Sequence, residues 1–199
     1  MSKNMTIIKS PSPNFYSRQG YKPELIVVHI TEGYFPSDLQ YLRNPAPIGG
    51  VGPVSAHDLI APDGTIHELV DWQYGAWHAG RVLNPTAKLL KKNWLGSYIN
   101  PNYYSYGIEV SCMPPAAPTP MQLTALKERL KERLTLFQLP TDRDHVIGHR
   151  EIFSGKTCPG PINLDQIVIE LTLPTSIPTV TMVDKEMFKQ QIINLIKEL

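Results

Sequence analysis

The run Glu24-Leu25-Ile26-Val27-Val28-His29-Ile30 constrains this chain more than any other segment. β-Branched side chains are stiff in a helix and fit a pleated surface, so an apolar run of this length reads as a buried strand. The turn-rich Thr31-Glu32-Gly33 follows at once. His29 is therefore held near the end of a strand, at the rim of a sheet, where clefts form.

Other segments supply the rest of a sheet and its cover. Ala56-His57-Asp58-Leu59-Ile60 and Thr65-Ile66-His67-Glu68-Leu69-Val70 read as a hairpin across the turn Ala61-Pro62-Asp63-Gly64. Ile108-Glu109-Val110-Ser111-Cys112 and the short Val146-Ile147-Gly148 read as further strands. A helix is expected from Thr119, with Pro120 at its first position and Gln122 completing a capping box. Leu123, Leu126, Leu130, Leu134 and Phe137 recur at three- and four-residue steps and form a stripe for a sheet face. Lys127, Glu128, Arg129, Lys131, Glu132 and Arg133 are then expected on its solvated face, without a binding role. Shorter helices are expected after Ser37, Asn84 and Pro161. The order of elements predicts an α/β fold, a mixed central β-sheet flanked by helices.

Composition excludes several functions. A net charge of +1 leaves no electrostatic footprint for nucleic acid. No run is long and apolar enough to cross a bilayer, so no membrane insertion is expected, and Met1 to Lys9 lack the features of an export signal. With 199 residues and 42% apolar content the chain can bury one proper core. Two cysteines, Cys112 and Cys158, do not make a disulfide framework.

Chemistry concentrates between Asp144 and Pro161, in DHVIGHREIFSGKTCPGP. His149 follows the strand-like Val146-Ile147-Gly148, and eight residues separate it from Cys158, which sits in the Pro/Gly-bounded loop Lys156-Thr157-Cys158-Pro159-Gly160. Imidazole and thiolate suit zinc, and a catalytic zinc site uses three protein ligands and leaves a position for water. His29 is the best third ligand. Taken alone, each residue also has a plain structural reading: a strand histidine packs in a core, and His57 and His67 are packed hairpin residues. If Cys158 binds metal, Cys112 remains as a small buried hydrophobe. His145 fits a core position or one behind a ligand equally well. Glu109, a carboxylate inside an apolar strand, is costly there unless it faces a cleft or a partner. Trp77-His78 offers an aromatic face and an imidazole on a small-residue loop, a reasonable groove wall. Asn102 either lines that groove or forms the turn around Pro101.

The segments VVHIT, SAHDLIAPDGTIHELV, AWHAG, SYGIEV and GHREIFSGKTCPGP, in this order, resemble the zinc-dependent N-acetylmuramoyl-L-alanine amidases of the type-2 amidase family. That family also includes phage lysozymes of the amidase kind and the peptidoglycan recognition proteins. The likeness runs from about Lys22 to about Asp165. It implies the peptidoglycan recognition protein-like fold and a zinc ion held by His29, His149 and Cys158. It further implies Glu109 as general base and acid and Lys156 as the group supporting the oxyanion. Without the resemblance, Lys156 would read as an ordinary loop lysine. His78, in the HAG motif, is placed near substrate, with Trp77 and Asn102 beside it. Some family members use a tyrosine on the hairpin strand where this chain has Ala56, which leaves proton transfer to Glu109 alone.

The implied activity is hydrolysis of the amide between N-acetylmuramic acid and L-alanine, on intact peptidoglycan or a soluble muropeptide. A noncatalytic peptidoglycan-binding module is the rival, and a closed structural zinc site is a weaker third reading. The absence of an export signal fits a phage or prophage lysin made in the cytoplasm and released to the cell wall, or a cytosolic recycling enzyme. The expected organisation is a catalytic domain over 1–172, a Pro-containing linker over 173–180 and an amphipathic helix over 181–199. In that helix Met187, Phe188, Ile192, Leu195 and Leu199 share a face after a cap at Asp184, a candidate surface for self-association.

Overall fold

The computed structural model describes residues 5–45 and 52–173. The expected linker, apart from Leu173, and the expected C-terminal helix lie outside the described residues. The elements are β1 (Ile7–Lys9), β2 (Phe15–Ser17), β3 (Leu25–Ile30), α1 (Ser37–Arg43), β4 (Asp58–Ile60), β5 (Ile66–Glu68), β6 (Tyr74–Ala76), β7 (Ser105–Val110), α2 (Pro120–Phe137), β8 (Val146–Gly148) and α3 (Leu164–Thr172). A six-stranded sheet runs in the order β1-β5-β4-β7-β3-β8, and β2 pairs with β6 in a separate two-stranded sheet. All neighbours in the large sheet are parallel except β4 and β5, the expected hairpin. The mixed sheet flanked by helices is the predicted class.

The apolar run forms β3, buried at every position. Alternate side chains face opposite sides of a strand. Ile26, Val28 and Ile30 join the main core with Leu126, Leu130 and Leu134 of α2 and Ile167 and Val168 of α3. Leu25 and Val27 enter a second core with Ala79, Tyr104, Ile147 and Ile152. β3 thus has no solvated face, which explains why its sequence does not alternate. His29 lies on the side of Leu25 and Val27, opposite α2 and α3.

α2 begins as expected. The Thr119 hydroxyl accepts from Gln122 N at 3.1 Å, and the Gln122 side-chain Oε1 accepts from Thr119 N at 2.9 Å. The Gln122 amide then donates to the carbonyls of Ile60 and Ser111, which ties the helix start to β4 and the end of β7. Gln138 ends the helix in the left-handed region at φ 57°. α3 follows Pro161, with Asn163 as its cap.

Two expectations are corrected. The charged side of α2 is not wholly solvated: Arg129 is 0% exposed and Arg133 is buried. Arg129 donates to both oxygens of the buried Asp58, each at 2.8 Å, and to Glu68, while Arg133 donates to Glu68 at 3.0 Å. A buried carboxylate on β4 requires a cation, and α2 supplies it from a turn flanked by Leu126 and Leu130. The helix expected after Asn84 is also absent. Asn84 takes φ 45°, and the amides of Leu83, Thr86 and Ala87 donate to the carbonyls of Ile152 and Glu151. That stretch is strapped along the loop after β8 instead of closing its own helical bonds. No helix among the described residues is long and apolar enough to cross a membrane.

Candidate active site

The parallel pairing of β3 with β7 sets His29 and Glu109 in register, and β8 pairs with the other edge of β3 so that Gly148 lies opposite Val28. His149 leaves β8 on the next residue, in a short 3-10 turn. Cys158 returns to the same place on the following loop, where its Sγ accepts from Ile30 N at 3.2 Å. Pro159 packs so closely on Gly148 that a β-carbon there would meet its Cδ at 2.4 Å. Glycine before His149 is therefore what lets the cysteine loop reach the strand end.

One ligand atom from each of His29, His149 and Cys158 lies within 4.8 Å of the others, at the floor of a cleft of about 530 Å³. Glu32, Asp38, Trp77, Arg81, Phe153 and Lys156 form part of its wall. Burial pushes His29 well below its usual range, helped by His149, His78 and Lys156. Burial, then Lys156, lowers His149 to about 4 against the opposing Ala79 carbonyl. The Cys158 thiol is pushed up to about 12, first by burial and then by Glu109. The donor set fits a zinc ion: two imidazoles kept neutral, and a buried thiol that a dication would ionise.

Glu109 approaches this set, with Oε1 4.0 Å from His29 Nδ1 and a side chain 13% exposed. Its Oε2 is buried without a hydrogen-bond partner. Burial above all, then Asp38 and Glu32, push its pKa up to about 8, opposed by Lys156. Such a carboxyl is poised to exchange protons. Lys156 is exposed, on the loop between His149 and Cys158.

Trp77 is exposed and packs on Tyr16, with ring centroids 4.5 Å apart. His78 and Asn102 are buried and line the same cleft. His78 Nδ1 lies 3.1 Å from His29 Nε2, and Asn102 Oδ1 accepts from the amides of His78 and Ala79. Asn102 also forms the turn weighed for it, its own amide donating to Asn100 Oδ1. His57 is buried, its Nδ1 accepting from Gly107 N, and His67 Nδ1 pairs with Ser10. His145 bonds Asp142, away from the ligand set. Cys112 is buried, and both cysteines are free thiols.

Asp38 was not among the sequence candidates. It is buried in the cleft wall, and its Oδ2 accepts from Thr31 Oγ1 at 2.7 Å and Ser111 Oγ at 2.5 Å. An acid in the first turn of a short helix has an ordinary electrostatic explanation, so no local signal separates it from one that acts on Glu109.

The family model for N-acetylmuramoyl-L-alanine amidases matches residues 19–161, and the chain belongs to that family. A search of curated proteins by sequence gives no match. Among solved structures, AmpD in its selenomethionine form is similar at 25% identity and a TM-score of 0.65, over 87% of this chain and 97% of that one. AmiD from E. coli, solved with anhydro-N-acetylmuramic acid-L-Ala-D-gamma-Glu-L-Lys, is 24% identical with a TM-score of 0.59, over 80% of this chain and 60% of that one. The amidase LysC from Clostridium intestinale shares the fold at 19% identity and a TM-score of 0.59, over 84% of this chain and 98% of that one.

Proposed function

We propose that this chain hydrolyses the amide bond between the lactyl group of N-acetylmuramic acid and the L-alanine of a peptidoglycan stem. His29, His149 and Cys158 would hold zinc, Glu109 would be base and then acid, and Lys156 would stabilise the oxyanion. The observation that carries this reading is the placement of Glu109, a carboxyl with one buried, unpartnered oxygen beside a three-donor set. A module that only bound glycan would gain nothing from it.

The ion, when bound, supplies Lewis acidity at the scissile carbonyl and makes a neighbouring water more acidic. Glu109 takes a proton from the attacking water as its oxygen bonds to the carbonyl carbon. The Lys156 ammonium faces the negative charge that gathers on the carbonyl oxygen. Glu109 then returns its proton to the alanine nitrogen as the carbon–nitrogen bond breaks, leaving a free carboxylate and a free amine. Burial, with Asp38 and Glu32, keeps Glu109 basic enough for both transfers. Trp77, exposed at the rim, is assigned to the sugar-peptide groove, and residues 1–172 to the catalytic unit.

The test is incubation of the purified protein with peptidoglycan and with a soluble muropeptide, followed by mass spectrometry. New L-alanine amino termini without new sugar reducing ends support the proposal. Reducing ends alone would make the protein a glycosidase, and binding without any product would make it a recognition module.

A further inference from the structure

Beneath the ligand set, the His78 ring offers an acceptor to His29. Ser105 Oγ donates to the Pro101 carbonyl at 2.8 Å. A hydroxyl has one proton, so toward His78 Nε2, 3.3 Å away, Ser105 can only accept. His78 therefore carries its proton on Nε2 and presents a bare Nδ1. That nitrogen lies 3.1 Å from His29 Nε2, which must donate to it. His29 is left with a bare Nδ1, the nitrogen that faces Glu109.

The support behind the dipeptide is equally specific. Asn102 Oδ1 accepts from both His78 N, at 3.3 Å, and Ala79 N, at 2.6 Å. The His78 ring lies directly on β7, where a β-carbon on Gly107 would meet its Cγ at 2.4 Å. Ser105, Gly107 and Glu109 are alternate residues of β7 and share its cleft side. They respectively accept from His78, leave room for it, and approach His29.

We infer that His78, pinned with Ala79 by Asn102, is a positioning residue that fixes the tautomer of His29 and directs His29 Nδ1 to the metal. His78 is then a residue behind the ligand set. The inference rests on the zinc reading above for its purpose, but the proton positions can be read with or without metal. An orienting hydrogen bond of this kind is generally worth about 10–100-fold in metal affinity.

The first measurement is long-range ¹H–¹⁵N correlation NMR of the histidine rings in the full chain, metal-free and zinc-loaded. The expected result is His29 protonated on Nε2 in both states, a scalar coupling across the hydrogen bond to His78 Nδ1, and zinc on His29 Nδ1. A proton on His29 Nδ1 in the metal-free chain, or zinc on its Nε2, overturns the inference. Failure to take up zinc at all would overturn the proposed activity, while the metal-free tautomers still decide this point. The second measurement is zinc affinity by chelator competition. His78→Leu removes the acceptor and should weaken zinc by about 10–100-fold, and His78→Asn, whose amide oxygen can stand in for Nδ1, should recover most of the loss. Wild-type affinity in the leucine variant would show that His78 positions nothing.

Discussion

His29 and Glu109 are register partners on adjacent parallel strands, and their side chains come within 4.0 Å on the same side of the sheet. The candidate base is therefore placed by backbone pairing between two strands that are buried along almost their whole length. Sites built on such elements hold their geometry better than sites built on loops.

Glu109→Gln should keep the fold and the metal and lose turnover, because an amide of the same shape cannot accept the proton of water. The expected loss is about 10²–10⁴-fold in kcat, the usual contribution of a positioned acid–base group. Muropeptide cleavage and bound zinc measured on the same sample check it. Near-normal turnover would remove Glu109 from the mechanism.

Cys158→Ser should lose most of its zinc. A serine hydroxyl is a neutral, harder donor that does not ionise as a thiol does beside a dication. Metal content after dialysis is the readout. Full zinc occupancy in this variant would mean that the site is elsewhere.

Arg129→Met should destabilise the chain by roughly 3–5 kcal/mol, the cost typical of leaving one partner of a buried ion pair alone. Asp58 is completely buried, and both of its oxygens bond Arg129. The double variant Arg129→Met/Asp58→Leu should recover much of the loss, since it removes the stranded charge. Denaturant melts of the three proteins test the coupling.

Stability should also fall in acid through Glu68. Burial alone would raise its pKa, but hydrogen bonds from Lys9 and Arg129 outweigh it and hold the carboxyl at about 2. A carboxyl depressed on folding contributes stability above its unfolded value, and that contribution disappears as pH falls through the folded value. The loss should therefore span roughly pH 4.5 to 2, and Glu68→Gln should flatten that part of the profile. A variant with the same acid profile as the parent chain would exclude Glu68 as its source.

What the sequence determined by itself was local. The unbroken apolar run of β3, the capping box of Thr119 and Gln122, and the glycine–histidine and cysteine–proline pairs report on neighbouring positions in the chain. The strand and the cap are found as read, and the clustering of His29 with His149 and Cys158 belongs to the tertiary structure. Tertiary structure decided everything that depended on distant partners. Arg129 reads as a solvated helix residue until Asp58, 71 positions away, is placed against it. Asn84 fails to start a helix because the loop after Gly148 claims the neighbouring amides. His78 and Asn102, expected beside substrate, line the cleft and also bond His29 and the His78-Ala79 backbone respectively, a placement that depends on the space above Gly107. Hydrophobic period and caps are short-range quantities, whereas the partner of a buried polar group is chosen by how the sheet is assembled.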